Sequence, residues 1–185
     1  MIICSVVSTQ TGIARYDVLR SLGEGGFVST YLARDSESGK DVVLKLCAVA
    51  DDRLRRRFLD ELEIATRLDH PNVVPTLDYG RTEGDSCFVV QELLDGEDLR
   101  AKIAARSGTY PERLRYLFET AQALAYAHSL GVLHRDVKPG NVRVRVDGTA
   151  QVRDFGLAKL EREVTPLDRI GGSDGGYVAP EQMLG

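Results

Sequence analysis

The chain has 185 residues, 43% hydrophobic and 28% charged, with a formal net charge of −4. That balance suits a folded globular protein and gives no bulk electrostatic argument for a nucleic-acid partner. Cys4, Cys47 and Cys87 lack metal-ligand spacing and predict free thiols in a reducing, cytoplasmic compartment. The opening Met1–Val7 run has no basic flank and is too short for a secretory leader. No later stretch reaches the roughly 18 apolar residues of a spanning helix.

In chain order, Tyr16–Leu22 and Phe27–Ala33 read as strands around the turn Gly23-Glu24-Gly25-Gly26. Ser38-Gly39-Lys40 turns the chain into an apolar strand, Val42–Leu46. A helix over Asp52–Leu68 follows, because Leu54, Phe58, Leu62, Ala65 and Leu68 recur at helical spacing and Asp51 or Asp52 can cap it. Val73–Tyr79 and Cys87–Glu92 predict two further strands, and Leu93-Leu94-Asp95-Gly96 reads as a connector. The second half turns helical. Pro111 suits a first helical turn, Leu114, Leu117, Phe118, Ala121, Leu124, Ala125 and His128 form an apolar stripe, and Gly131 closes the helix. Val142–Val146 and Ala150–Arg153 flank the hairpin signal Asp147-Gly148. Residues 160–176 are polar and glycine-rich and predict a mobile loop.

Several short strings carry chemistry. Glycines in Leu22-Gly23-Glu24-Gly25-Gly26-Phe27 let backbone N–H groups approach phosphates closely, although a plain tight turn needs the same residues. Lys45, inside the apolar Val42-Val43-Leu44-Lys45, needs a charge partner or a path to water. Glu61 and Glu63 are the candidate partners and point to different sides of their helix, so only one of them can face it. His134-Arg135-Asp136-Val137-Lys138-Pro139-Gly140-Asn141 is followed, one hairpin later, by Asp154-Phe155-Gly156 and then by Ala179-Pro180-Glu181.

This ordered series resembles the catalytic domain of eukaryotic-like bacterial serine/threonine protein kinases. The resemblance implies an α+β, two-lobed protein-kinase-like fold: an extension at residues 1–14, a sheet-rich lobe at 15–92, and part of a mainly helical lobe at 93–185. It further implies that helices of a complete kinase domain follow Glu181, leaving one side of the Leu114–Leu124 stripe uncovered here. The implied cofactors are ATP and Mg²⁺. Asp136 would accept the substrate hydroxyl proton, Lys138 would neutralise the γ-phosphate, and Asn141 and Asp154 would hold Mg²⁺. The nucleotide contacts implied are Leu22, Gly23, Gly25, Gly26, Phe27, Thr30, Val43, Lys45, Glu61, Gln91 at the gatekeeper position, Glu92, Leu94 and Arg143. The backbone of Glu92 and Leu94 would meet the adenine edge.

Arg135 would pair with a phosphate on the activation loop, with Thr165 and Ser173 as candidate acceptors. The partners implied are protein substrates and a second copy of the chain, for autophosphorylation. The chain itself carries no membrane segment, although its parent could be anchored. Departures from the family pattern stand at Val28, Thr30, Arg143 and Asp174. An arginine where adenine normally meets an apolar floor requires its stem to lie flat, with the head group reaching solvent or stacking on the base. Val28, Arg143 and Asp174 keep a pseudokinase open as an alternative, and the helices implied to follow Glu181 keep open an interaction module without transfer activity.

Overall fold

The computed structural model describes residues 13–25, 28–49, 51–82 and 86–155, with Leu157 and Tyr177. The chain divides into two compact units. Residues up to Arg67 join Pro75–Leu93 in the first, and Leu68–Val74 joins the chain from Leu94 onward in the second.

The first unit is an antiparallel sheet of β1 (Tyr16–Gly25), β2 (Val28–Asp35), β3 (Asp41–Ala48), β4 (Thr76–Arg81) and β5 (Ser86–Glu92), in the order β1-β2-β3-β5-β4. Alternation puts Val42 and Leu44 on one face with Tyr16, Val18, Ala33, Phe88 and Val90, which together form a core cluster. The other face of β3 carries Val43, Lys45 and Cys47, and Cys47 stands directly opposite Cys87 of β5. Both of these cysteines are buried and neither is in a disulfide. Tyr16 donates its hydroxyl to Asp78 at 2.7 Å, and burial with that contact pushes its phenol well above the ordinary range.

Helix α1 (Asp52–Ala65) begins where the Asp51 carboxylate accepts from the Leu54 N–H. It buries Arg55, Phe58, Leu62 and Ala65. The guanidinium of Arg55 donates to the Val49 carbonyl at 2.8 Å and to Asp52 at 2.7 Å, which satisfies the buried charge. The helix stops short of the predicted Leu68. Thr66 turns its hydroxyl back to the Glu63 carbonyl, and the Arg67 N–H bonds Ile64 in a tightened last turn. The strand predicted at Val73–Tyr79 also starts later, at Thr76. Pro75 has no N–H to give a ladder. Val73 and Val74 are buried in the second unit instead, where the Val74 N–H bonds the Val152 carbonyl and the Val152 N–H bonds Asn72.

In the second unit a short sheet has the order β6 (Glu97–Asp98), β7 (Val142–Val144), β8 (Ala150–Val152). Asp98 caps the six-residue helix α2 (Leu99–Ala104), which the periodicity did not predict. Helix α3 (Tyr110–Ser129) opens on a capping box. Glu112 takes the N–H of Thr109 and the Thr109 hydroxyl receives that of Glu112, and Pro111 stands in the first turn. Gly131, at φ +76°, ends the helix in the left-handed region.

The predicted apolar stripe of α3 is not its buried face among the described residues. Tyr116, Ala123 and Ala127 are buried, whereas Leu117 and Phe118 are each 63% exposed. The alanines allow close approach of neighbouring backbone, and Tyr116 packs with Val142, Val144 and Ala150. Strand β7 is shorter than predicted. The Gly148 N–H closes on the Arg145 carbonyl, so pairing ends at Val144.

Candidate active site

The best-built constellation lies in the second unit, on the loop between α3 and β7. His134 is 2% exposed. Its Nδ1 receives the N–H of Asp136 at 3.2 Å, which requires the proton on Nε2, where the Arg153 carbonyl accepts it at 2.8 Å. Burial holds its pKa below the ordinary histidine value. The Phe155 ring packs edge-on against the imidazole, with centroids 4.7 Å apart.

His134 therefore ties the segment bearing Asp136 to the one bearing Asp154. The backbone is strained at both ends: Arg135 has φ +64° and Asp154 φ +71°. Such left-handed conformations in non-glycine residues persist only where surrounding contacts enforce them.

Three predicted site residues converge beyond the histidine. Lys138 places Nζ 2.8 Å from Oδ2 of Asp136. Asn141 donates Nδ2 to the same oxygen at 2.7 Å and to the Asp136 carbonyl at 2.8 Å. The short 3₁₀ turn Pro139–Asn141 makes this possible, closed by the Asn141 N–H on the Lys138 carbonyl. With both amide hydrogens of Asn141 directed at Asp136, its Oδ1 is left as an acceptor, the atom a hard cation would use.

The Arg153 N–H bonds the Asn141 carbonyl, and its guanidinium donates to Gly140 at 2.6 Å. Arg153 also lies 3.7 Å from the Asp154 carboxylate. Its place beside the site escaped the sequence reading. The residue directly before Asp154 was the available signal. Among the described residues no group of three or more acidic, cysteine or histidine side chains could hold a metal ion.

In the first unit, Lys45 is 4% exposed within β3, and neither it nor Glu61 is without a partner. Glu63 is exposed and ion-paired with Arg67 at 2.7 Å. Val43 pairs with Gln91 across β3 and β5, Thr30 pairs with Lys45 across β2 and β3, and Gln91 is buried. Leu22 is exposed on β1, and Gly23 has open space around it.

Arg143 takes a course the sequence reading did not foresee. Its Nε donates to the Asp95 carbonyl at 3.1 Å and an Nη to the Leu94 carbonyl at 3.4 Å. Gly26, Phe27, Gly156, Thr165, Ser173, Asp174, the predicted loop at residues 160–176 and the Ala179-Pro180-Glu181 string lie outside the described residues.

Comparison with known proteins decides the family. The protein kinase domain family matches residues 16–185. The chain belongs to that family. It is 35% identical to serine/threonine-protein kinase PrkC of Bacillus subtilis over 92% of its own length and 27% of that protein's. It is 38% identical to the DNA damage-responsive serine/threonine-protein kinase RqkA of Deinococcus radiodurans, covering 92% and 26%. For serine/threonine-protein kinase PknA of Mycobacterium tuberculosis the identity is 35%, covering 92% and 42%. The chain thus spans less than half the length of each of these kinases. No helix among the described residues is long and apolar enough to cross a membrane.

Proposed function

We propose that this kinase domain transfers the γ-phosphate of ATP to serine or threonine hydroxyls of proteins, a second copy of the chain included. The convergence of Lys138 and Asn141 on the Asp136 carboxylate carries this reading. A carboxylate held by two donors has its free lone pairs oriented, and it can receive or align the proton of an attacking hydroxyl. Lys138, already beside it, would meet the charge developing on the transferred phosphoryl group. Asn141, through Oδ1, and Asp154 would hold Mg²⁺, which supplies charge neutralisation between phosphates when bound.

Lys45 would hold the α- and β-phosphates. Glu61 is its charge partner in this reading, since Glu63 is exposed and engaged by Arg67. Leu22, Gly23, Gly25, Gly26, Phe27, Thr30, Val43 and Gln91 would line the nucleotide, with the backbone of Glu92 and Leu94 at the adenine edge. Arg135 would receive a phosphate placed on Thr165 or Ser173. Cys47 and Cys87, buried and not joined in a disulfide, support a cytoplasmic location.

The test is incubation with Mg²⁺-ATP and a generic basic protein, followed by identification of the modified residues by mass spectrometry. Phosphate on serine and threonine is expected. Modification confined to tyrosine, or none in a preparation that binds ATP, would overturn the reading.

A further inference from the structure

The segment from Leu94 to Asp98 is fastened to β7 by an unusual set of contacts. Glu97 and Asp98 pair with Val144 and Arg143. Gly96, at φ +82°, lies so close to β7 that a Cβ there would collide with the Val144 carbonyl oxygen. Arg145 sets Nε 3.3 Å from the Asp95 carboxylate. Arg143, the residue of β7 that points away from buried Val142 and Val144, returns its guanidinium to the Leu94 and Asp95 carbonyls.

β7 is itself anchored through Val142 and Val144 to Tyr116 and Ala150. It is a fixed platform, and the arginine transmits that fixity to the linker. A planar guanidinium can address two carbonyls at once. An aliphatic side chain at this position could fill space but could not orient either of them.

We propose that Arg143 is a positioning residue for the nucleotide base, acting through the linker backbone and not by contact with the base. The proposal rests on the reading that the Leu94 backbone meets adenine. By holding the carbonyls of Leu94 and Asp95, Arg143 fixes the two peptide planes that flank Asp95, and with the Leu94–Asp95 plane fixed the backbone at Leu94, whose N–H lies in the preceding plane, has less freedom to turn. The linker is then ordered before nucleotide arrives, and binding spends less on ordering it. The effect belongs to nucleotide affinity and not to phosphoryl transfer.

The test compares Arg143→Leu and Arg143→Lys with the parent in the full-length protein, using ADP as the probe for binding. Backbone amide exchange of residues 94–98 is measured in nucleotide-free protein. For Arg143→Leu, ADP affinity and the KM for ATP should worsen about three- to tenfold, the size of one ordinary hydrogen bond, because the arginine acts on the nucleotide only through the linker. Its kcat should hold within about twofold, and amide exchange at 94–98 should rise. Arg143→Lys, able to reach one carbonyl but not bridge two, should fall between.

Unchanged ADP affinity in Arg143→Leu overturns the proposal. So does weakened affinity with unchanged exchange in the free protein, because the arginine would then be touching the base itself. A matched fall in kcat, protein-substrate affinity and melting temperature would mark a merely structural role. If the parent protein binds no ADP, the nucleotide reading fails and this inference fails with it.

Discussion

Replacing Gly96 by alanine should be far more damaging than the same change at Gly131, although both glycines belong to the second unit and have nearly equal backbone angles, φ +82° and +76°. At Gly131 a new Cβ meets nothing within 4 Å. The cost there is the left-handed conformation alone, about 1–2 kcal/mol. At Gly96 the Cβ would collide with the Val144 carbonyl oxygen and lie 2.7 Å from the Arg145 Cα. Both are backbone atoms and cannot turn aside as a side chain can, so relief requires β6 to leave β7. Overpacking of this kind adds about 1–3 kcal/mol, and loss of the β6–β7 pairing adds to it. Thermal melting followed by circular dichroism measures the difference. For a chain of this size each kcal/mol moves the midpoint by about 2–4 °C. Gly131→Ala should therefore lower the melting temperature by a few degrees, and Gly96→Ala by about twice that or more. Equal shifts would refute the close approach of linker and β7.

Other consequences follow from particular contacts. His134 is held below the ordinary histidine pKa by burial, so the unfolded chain binds its proton more readily than the folded one. Its contribution to stability is complete above about pH 6.5 and shrinks as the pH falls below that value. His134→Gln, measured by urea denaturation across that range, should flatten this acid-side slope, and an unchanged slope would contradict the assignment. Thr109→Ala removes one half of the capping box on α3 and should cost about 1 kcal/mol in the same assay. No loss at all would mean that the cap adds nothing to the folded state. Lys45→Met should reduce transfer about 100-fold or more while leaving the fold intact. Wild-type rates in that variant would remove Lys45 from the phosphate-binding role.

The convergence of the second-unit residues was legible in the sequence because they are close in the chain. Asp136, Lys138 and Asn141 lie within six residues of chain, and the 3₁₀ turn Pro139–Asn141 helps set Asn141 against Asp136, while His134 and Arg153 fasten the loop. The strands and α1 were legible for a similar reason: alternation and helical spacing are properties of a short window. What escaped depended on which backbone happens to pass nearby. The head group of Arg143 goes to the Leu94 and Asp95 carbonyls because β6 pairs with β7, and no periodicity in the Val142–Val146 run announces that.

The apolar stripe of α3 was legible from its spacing, but which of its residues are buried depends on the chain packed against the helix. Tyr116 packs with the hairpin residues Val142, Val144 and Ala150, and Ala123 and Ala127 are buried, whereas Leu117 and Phe118 of the stripe are exposed. The late start of β4 was in reach, since Pro75 cannot donate to a ladder. The ion pair of Glu63 with Arg67 was not legible either, because spacing alone permits it but does not require it.

The central claim is that the carboxylate of Asp136, held by Lys138 and Asn141, serves phosphoryl transfer. The most direct test is the rate of labelled γ-phosphate transfer to a protein acceptor by the full-length protein and by its Asp136→Asn variant, with ATP binding measured in parallel. Asparagine keeps the size of the side chain but cannot take up the hydroxyl proton. The account predicts ATP affinity within about twofold and a transfer rate lowered by two orders of magnitude or more. Transfer by the variant at the parent's rate would contradict it.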